Sequence, residues 1–298
     1  MALDLLQLKA VSVAARVGSL TKTAEALNIT QPALSRRIAD AEKSLGVLLF
    51  ERLPRGVRPT EACLAFLRHA EIALASIDDG VEAALAAEKR RGPEVSISLL
   101  DALCDDALVA ACKATMSAFA LEEVGFRTHI LSAQVSADLL AGAAKLGLRY
   151  RKDPRPHLDA LWIADDPIVV ACGASHPFAA SGRATMDDLE RAQWVGYPTP
   201  IDQTTSTTEE ALRMVGLQSW KASDVTTLGA RIRLIEAGFG VGLVRRAGIL
   251  RNLQQGTMVE LETPLAVSMP IFVTWRRGSY LGPAAELLRD QLAQFYRR

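Results

Sequence analysis

The sequence predicts a multidomain chain: a mainly α, N-terminal winged helix-turn-helix unit, a long linker helix, and a C-terminal α/β domain of two lobes. Three observations predict it. Helical periodicity with two tight stops fills residues 3 to 46. An apolar seam then repeats in steps of four and three from Cys63 to Ala84. From Glu94 onward, short apolar runs alternate with amphipathic stretches, the pattern of an α/β fold with largely parallel sheets. The chain has 298 residues, 49% of them apolar, which is enough for more than one core.

The first helix covers residues 3–17, with Leu5, Leu8, Val11 and Ala15 at helical spacing, and Gly18 ends it. Ser19 or Thr21 caps a short second helix, Thr21 to Leu27, and Asn28-Ile29 makes the turn. Thr30 is the N-cap of a third helix that runs to about Leu45, with Gly46 as its stop. Pro32 fits its first turn, because the N–H that proline lacks would have no partner there. Two short helices around a tight turn form a helix-turn-helix unit. In VLLFERLPRGVRPTEA, the segments VLLF and GVRPT read as strands around a Pro-Arg-Gly turn, a hairpin carrying Arg52, Arg55 and Arg58.

Thr60 caps a long helix, roughly 60 to 90. Its seam of Cys63, Leu67, Ala70, Leu74, Ile77, Val81 and Ala84 calls for a partner, and the same helix of a second chain is the simplest. Leu67, Leu74, Ile77 and Val81 are therefore the expected dimerisation residues. Beyond the Gly92-Pro93 break, EVSISLL, GFRTHIL, KLGLRY, DPIVVAC, AQWVGY, GVGLV and PIFVTW read as strands. DDALVAACKATMSAF, SADLLAGAA, TTEEALRMVG, LGARIRLIEAG and GPAAELLRDQLAQFYR read as helices. The expected domains are 1–59, 60–92 and 93–298, the last split into lobe I (93–162 plus 268–298) and lobe II (163–267). The crossovers fall near Leu161–Asp165 and Pro264–Pro270, and a cleft between such lobes is the default small-molecule site.

Charge is balanced overall, 34 basic against 34 acidic residues, but unevenly placed. Residues 1–59 carry nine Lys/Arg and five Asp/Glu, the asymmetry expected of a nucleic-acid-binding end. Cys63, Cys104, Cys112 and Cys172 form no C-x-x-C pair and read as free thiols of a reducing compartment. A redox pair of Cys104 and Cys112 is the alternative. Asp4, Lys9 and Arg16 interrupt the N-terminal apolar stretch, so no signal peptide is expected, and no run is long enough to span a membrane. A cytoplasmic protein is expected.

A helix built only to fill a core has no need of Gln31, Ser35, Arg36 and Arg37 in its first turns. A recognition helix does, since it enters the major groove by that end. Gln31 and Ser35 are four apart on one face, and Pro32 and Arg36 repeat the spacing beside them. Gln pairs with adenine, Arg with guanine, and Pro touches a thymine methyl. Leu34 and Ile38 point to the core.

The stretch GSLTKTAEALNITQPALSRRIADAEKSLGVLLFERLPRGVRPTEA resembles the N-terminal winged helix-turn-helix of LysR-type transcriptional regulators. VVACGASHPFA and LIEAGFGVGLV are similar to segments of that family's C-terminal, periplasmic-binding-protein-like effector domain. The resemblance implies DNA contacts by Thr30, Gln31, Pro32, Ser35, Arg36, Arg37, Arg52, Arg55 and Arg58. It implies an effector cleft lined by Leu100, Asp101, Ser132, Pro198, Thr199 and Thr227. Asp101 there favours a neutral, hydroxylated or cationic ligand, unless it caps its own helix. The implied partners are double-stranded DNA, further copies of the chain as a homodimer and homotetramer, and RNA polymerase. No cofactor or metal is expected beyond an effector of unknown identity. Control by thiol oxidation or expression level, with no effector, is the alternative.

An enzyme is the rival from another class. GFGVG at 238–242 follows a helix and precedes a strand, the reverse of a dinucleotide loop. His69, His129, His157 and His176 share no pattern with a nucleophile or a metal ligand, so no catalytic residue is expected. A periplasmic-type binding protein would suit the second half alone but not the basic head.

Overall fold

The computed structural model describes residues 3–53, 56–88, 95–196, 212, 216, 217 and 221–297. The chain forms two compact units. The first holds Met1–Pro93 with Ala137–Ala143 and Arg276–Gly282, and the second holds the remainder.

The first unit begins with α1 (Leu5–Val17), α2 (Leu20–Ala26) and α3 (Gln31–Leu45). Each start is chemically specified. Asp4 and Gln7 form a reciprocal capping box at α1. The Ser19 hydroxyl accepts from the N–H of Lys22 at α2, and the Thr30 hydroxyl from that of Ala33 at α3. The stops at Gly18 and Gly46 are left-handed, φ 70° and 71°. Asn28 takes φ 52° in the turn between α2 and α3, a conformation asparagine tolerates. Ala10, Val11, Ala14, Ala24, Leu34, Ile38 and Ala41 bury the inner faces of the three helices.

The wing is β1 (Phe50–Leu53) paired antiparallel with β2 (Gly56–Pro59). The first strand starts at Phe50 rather than at Val47, because Val47 to Leu49 cross from α3 without ladder pairing. Two contacts fasten the wing to the helices. The Glu42 carboxylate accepts from the N–H groups of Leu49 (2.7 Å) and Phe50 (3.2 Å). Val57 N–H donates to the Gly18 carbonyl, and at Gly56 a β-carbon would lie 2.3 Å from that same oxygen. The linker helix α4 (Glu61–Ala87) follows, its first turn capped by the Thr60 hydroxyl.

In the second unit one sheet runs in the order β4-β3-β5-β11-β6-β9-β7-β8, with β10 beside β6. Its strands are β3 (Ser96–Leu100), β4 (Gly125–His129), β5 (Leu146–Tyr150), β6 (Leu158–Gly173), β7 (Gln193–Gly196), β8 (Lys221–Asp224), β9 (Val241–Arg245), β10 (Met258–Glu260) and β11 (Val267–Arg276). The pairs β3–β4, β3–β5, β7–β8 and β7–β9 are parallel, whereas β5–β11, β6–β9 and β6–β10 are antiparallel. The sheet is thus mixed and continuous, not two largely parallel sheets. The long strands β6 and β11 cause this, since β6 runs through the first expected crossover, β11 begins within the second, and together they join the two groups of strands. The helices are α5 (Asp106–Phe119), α6 (Ser132–Leu140), α7 (Met186–Arg191), and those at Leu228–Glu236, Leu250–Gln254 and Gly282–Tyr296. The helix expected in TTEEALRMVG lies outside the described residues except at Leu212 and Gly216. Among the described residues no helix is long and apolar enough to cross a membrane, and none of the His, Cys, Asp and Glu groups could hold a metal.

Candidate functional site

The first turns of α3 form a polar outward face. Gln31, Pro32 and Arg36 are exposed, Ser35 and Arg37 half-buried. Gln31 Nε2 lies 3.3 Å from Ser35 Oγ, so the spacing of four does place both on one face. On the opposite face Leu34 is fully buried and Ile38 is buried beside it. The Thr30 hydroxyl is taken up by its capping role. Arg52 is exposed on β1. Arg58 on β2 pairs with Glu51 across the hairpin at 2.6 Å, both side chains remaining more than half exposed. Arg55 lies outside the described residues. Sequence reasoning missed the Glu51–Arg58 pair and the role of Glu42. Register is the missing signal, since it puts Glu51 opposite Arg58.

The linker-helix seam divides. Cys63, Leu67 and Ala70 are buried, and Cys63 and Leu67 belong to the core of the head itself. Leu67 thus packs against its own chain's head, and the exposed part of the seam lies beyond it. Burial pushes the Cys63 thiol up to about 11, Glu42 adding to the effect. Farther along, Leu74 is half-buried, while Ile77 and Val81 stay exposed, as does Leu64 near the start. Arg276 fixes this stretch on the inner side by pairing with Asp79 and donating to the Ser76 hydroxyl.

The expected effector residues are treated unequally. Leu100, the last residue of β3, is buried. Ser132 is half-buried, its hydroxyl donating to the Tyr150 carbonyl at 3.4 Å. Thr227 caps the helix Leu228–Glu236, its hydroxyl accepting from the Ala230 N–H. Asp101 is half-buried, in the short 3-10 helix that follows β3. Asp101 does not cap α5, a role that belongs to Asp105. Burial pushes the Asp101 carboxyl up, opposed by backbone N–H groups and by Arg231. Pro198 and Thr199 lie outside the described residues.

Two buried polar networks flank this region, and nothing in the sequence pattern pointed to either. In one, Arg245 pairs with Asp166 and Asp105 and donates to the Ala102 carbonyl, while the Tyr150 hydroxyl reaches Asp166 at 2.5 Å. In the other, Arg149 and Arg155 pair with Asp153, which also accepts from the Ser136 hydroxyl. The four cysteines are free. Cys104 is exposed, but Cys112 is buried, and its thiol is pushed up to about 11 by burial and then by Cys104. A thiolate is disfavoured at Cys112, which argues against the alternative of a redox pair.

Comparison with known proteins falls along the same division. The family described as bacterial regulatory helix-turn-helix protein, lysR family, matches residues 5–64, and the LysR substrate binding domain matches residues 88–297. The chain is 28% identical to the HTH-type transcriptional regulator CbbR of Sinorhizobium medicae, covering 98% of this chain and 92% of that one. It is 26% identical to the Hca operon transcriptional activator HcaR of Escherichia coli, covering 98% and 96%. Among solved structures, full-length OxyR from Pseudomonas aeruginosa superposes with a TM-score of 0.73 at 16% identity, covering 98% and 95%. The LysR family regulator CbnR does so with 0.65 at 20% identity, covering 99% and 100%.

Proposed function

The chain belongs to the LysR family of transcriptional regulators, and from that premise we propose that it reads operator DNA with α3 as a homodimer, assembling to a tetramer, and answers a small effector. The observation that carries the reading is the two-sided α3. Leu34 and Ile38 anchor one face, while Gln31, Pro32, Ser35 and Arg36 stand outward at its N-terminal end. Such a helix presents donors and acceptors to base edges while its domain stays folded. Arg37, Arg52, Arg55 and Arg58 hold phosphates and set register. CbnR, whose fold this chain shares, has been solved with its target DNA, at a TM-score of 0.53 and 21% identity.

Two copies joined through Leu74, Ile77 and Val81 read a two-fold symmetric site with raised effective affinity. The effector binds near Asp101, Ser132 and Thr227 and acts by favouring one arrangement of the lobes. The regulator works in the cytoplasm and passes its signal to RNA polymerase at the promoter. Footprinting on the chain's own upstream intergenic DNA, with sedimentation equilibrium, tests the reading. Two protected half-sites in successive major grooves and a dimer lost in Val81→Glu support it. One protected patch, or a monomer that still protects two, contradicts it.

A further inference from the structure

Glu42 stands on α3 two turns beyond Ser35, about 10 Å along the helix axis. Its carboxylate bonds to the chain just where the wing begins. Glu42 Oε1 accepts from the N–H of Leu49 at 2.7 Å and from that of Phe50 at 3.2 Å. Two successive N–H groups turned to one oxygen form a concavity of the kind that holds anions. The side chains of Leu49 and Phe50 are buried in the core of the head, and from Phe50 the strand β1 runs outward to exposed Arg52.

Farther out, helix and wing are separated. A cavity of about 490 Å³ lies between them, lined by Ser35, Ala39 and Glu42 on the helix side and by Phe50, Arg52 and Val57 on the wing side. Ser35, Ala39 and Glu42 are spaced by four and three, so they share one face of α3. Ser35, a base reader, and Arg52, a phosphate holder, therefore line one gap from opposite sides. Packing does not fill that gap, so its width is set by how the wing is held at its base. Two further bonds fasten the base to other elements. Val57 N–H reaches the Gly18 carbonyl at the end of α1, and the Thr60 hydroxyl reaches the Leu48 carbonyl. Glu42 is the link that starts from α3 itself.

We infer that Glu42 is a positioning residue for DNA binding: it clamps the wing to α3, so that Arg52 and Arg58 meet phosphates while α3 lies in the groove. The inference rests on the reading of α3 and the wing given above. In this role Glu42 needs no contact with DNA, since it acts through the wing arginines. Without it two amides at the wing's base lose their charged acceptor. The wing then loses its bearing on α3, and with it phosphate contacts that add affinity without sequence information.

A double-mutant cycle on the full-length protein tests this. Glu42→Ala is combined with the pair Arg52→Ala, Arg58→Ala. Fluorescence anisotropy follows binding to the upstream intergenic DNA and to random DNA across a salt series, at a temperature where each head is folded. In the parent background Glu42→Ala should weaken binding to both DNAs about tenfold and make the salt slope shallower by about 1 to 2. In the background without the two arginines the same substitution should cost less than about twofold. Glu42→Gln, whose neutral oxygen still accepts, should lie between, at about threefold in the parent background. Unchanged affinity in Glu42→Ala would overturn the clamp. So would a tenfold loss that persists without the arginines, the mark of a head loosened as a whole. Should Glu42→Ala not fold, the same cycle with Glu42→Gln decides between the same outcomes. A parent that binds neither DNA sinks the regulator reading and the clamp with it, whereas a parent that binds beside an unaltered variant sinks the clamp alone.

Discussion

On α3, Gln31 and Arg36 stand at the surface in a helix whose stability comes from the opposite face. In the C-terminal domain Arg149, Asp153, Asp166 and Arg245 are 4–8% exposed, each engaged by more than one polar partner. The head thus keeps its core face and its outward polar face on different residues of one helix. In the C-terminal domain buried polar groups themselves tie strands and helices together. Substitutions in the head should therefore divide cleanly into those that unfold and those that only loosen DNA. Substitutions around the cleft should do both at once.

The largest effect expected is at Asp153. Asp153→Ala strands Arg149 in the interior and should cost about 3–5 kcal/mol of domain stability, read by urea unfolding. A loss below about 1 kcal/mol would mean that the networks are incidental and the comparison false. The same carboxyl gives a pH signature. Burial opposes its ionisation, but the hydrogen bonds from Arg155 and Ser136 and the charge of Arg149 outweigh it, holding it well below the usual carboxylate range. Its stabilisation is therefore full above about pH 3.9 and is lost as pH falls through the depressed native value. Asp153→Asn should flatten that acid limb.

Next comes Leu34→Ala in the head, which empties a fully buried site and should cost about 2–5 kcal/mol. DNA binding should fall only where the head melts, so affinity at low temperature should stay near that of the parent. Thr30→Ala removes the α3 cap and should cost about 1 kcal/mol by thermal unfolding. Arg58→Ala is the smallest. Its ion pair with Glu51 is exposed, so stability should change by less than about 0.5 kcal/mol. Affinity should drop alike for specific and random DNA, with the salt slope shallower by about 1.

The same contrast explains what was legible in the sequence. The shared outward face of Gln31 and Ser35 and the buried face of Leu34 and Ile38 were readable because a helix face is fixed by spacing alone, and Thr30 and Gly46 mark its ends. Periodicity shows that the face of Leu67 is buried but not against what, and in the single chain the head's own core takes it. Strand identities were readable, but the mixed sheet was not, because nothing local shows that β6 and β11 continue through the crossovers. Near the cleft, Asp101 and Thr227 came from the family resemblance, while Arg245, Asp166 and Tyr150 went unseen. Their partners lie in distant segments, and a lone arginine at a strand end looks like any solvated one.

The most direct test is fluorescence anisotropy of the purified protein on its own upstream intergenic DNA, across a salt series, beside the double variant Gln31→Ala, Arg36→Ala. The parent should bind that DNA tightly and with steep salt dependence. The variant should keep its unfolding temperature and its weak hold on random DNA while losing specific affinity at least about tenfold. Equal affinity for specific and random DNA in both proteins would contradict the assignment of α3 as the helix that reads the operator.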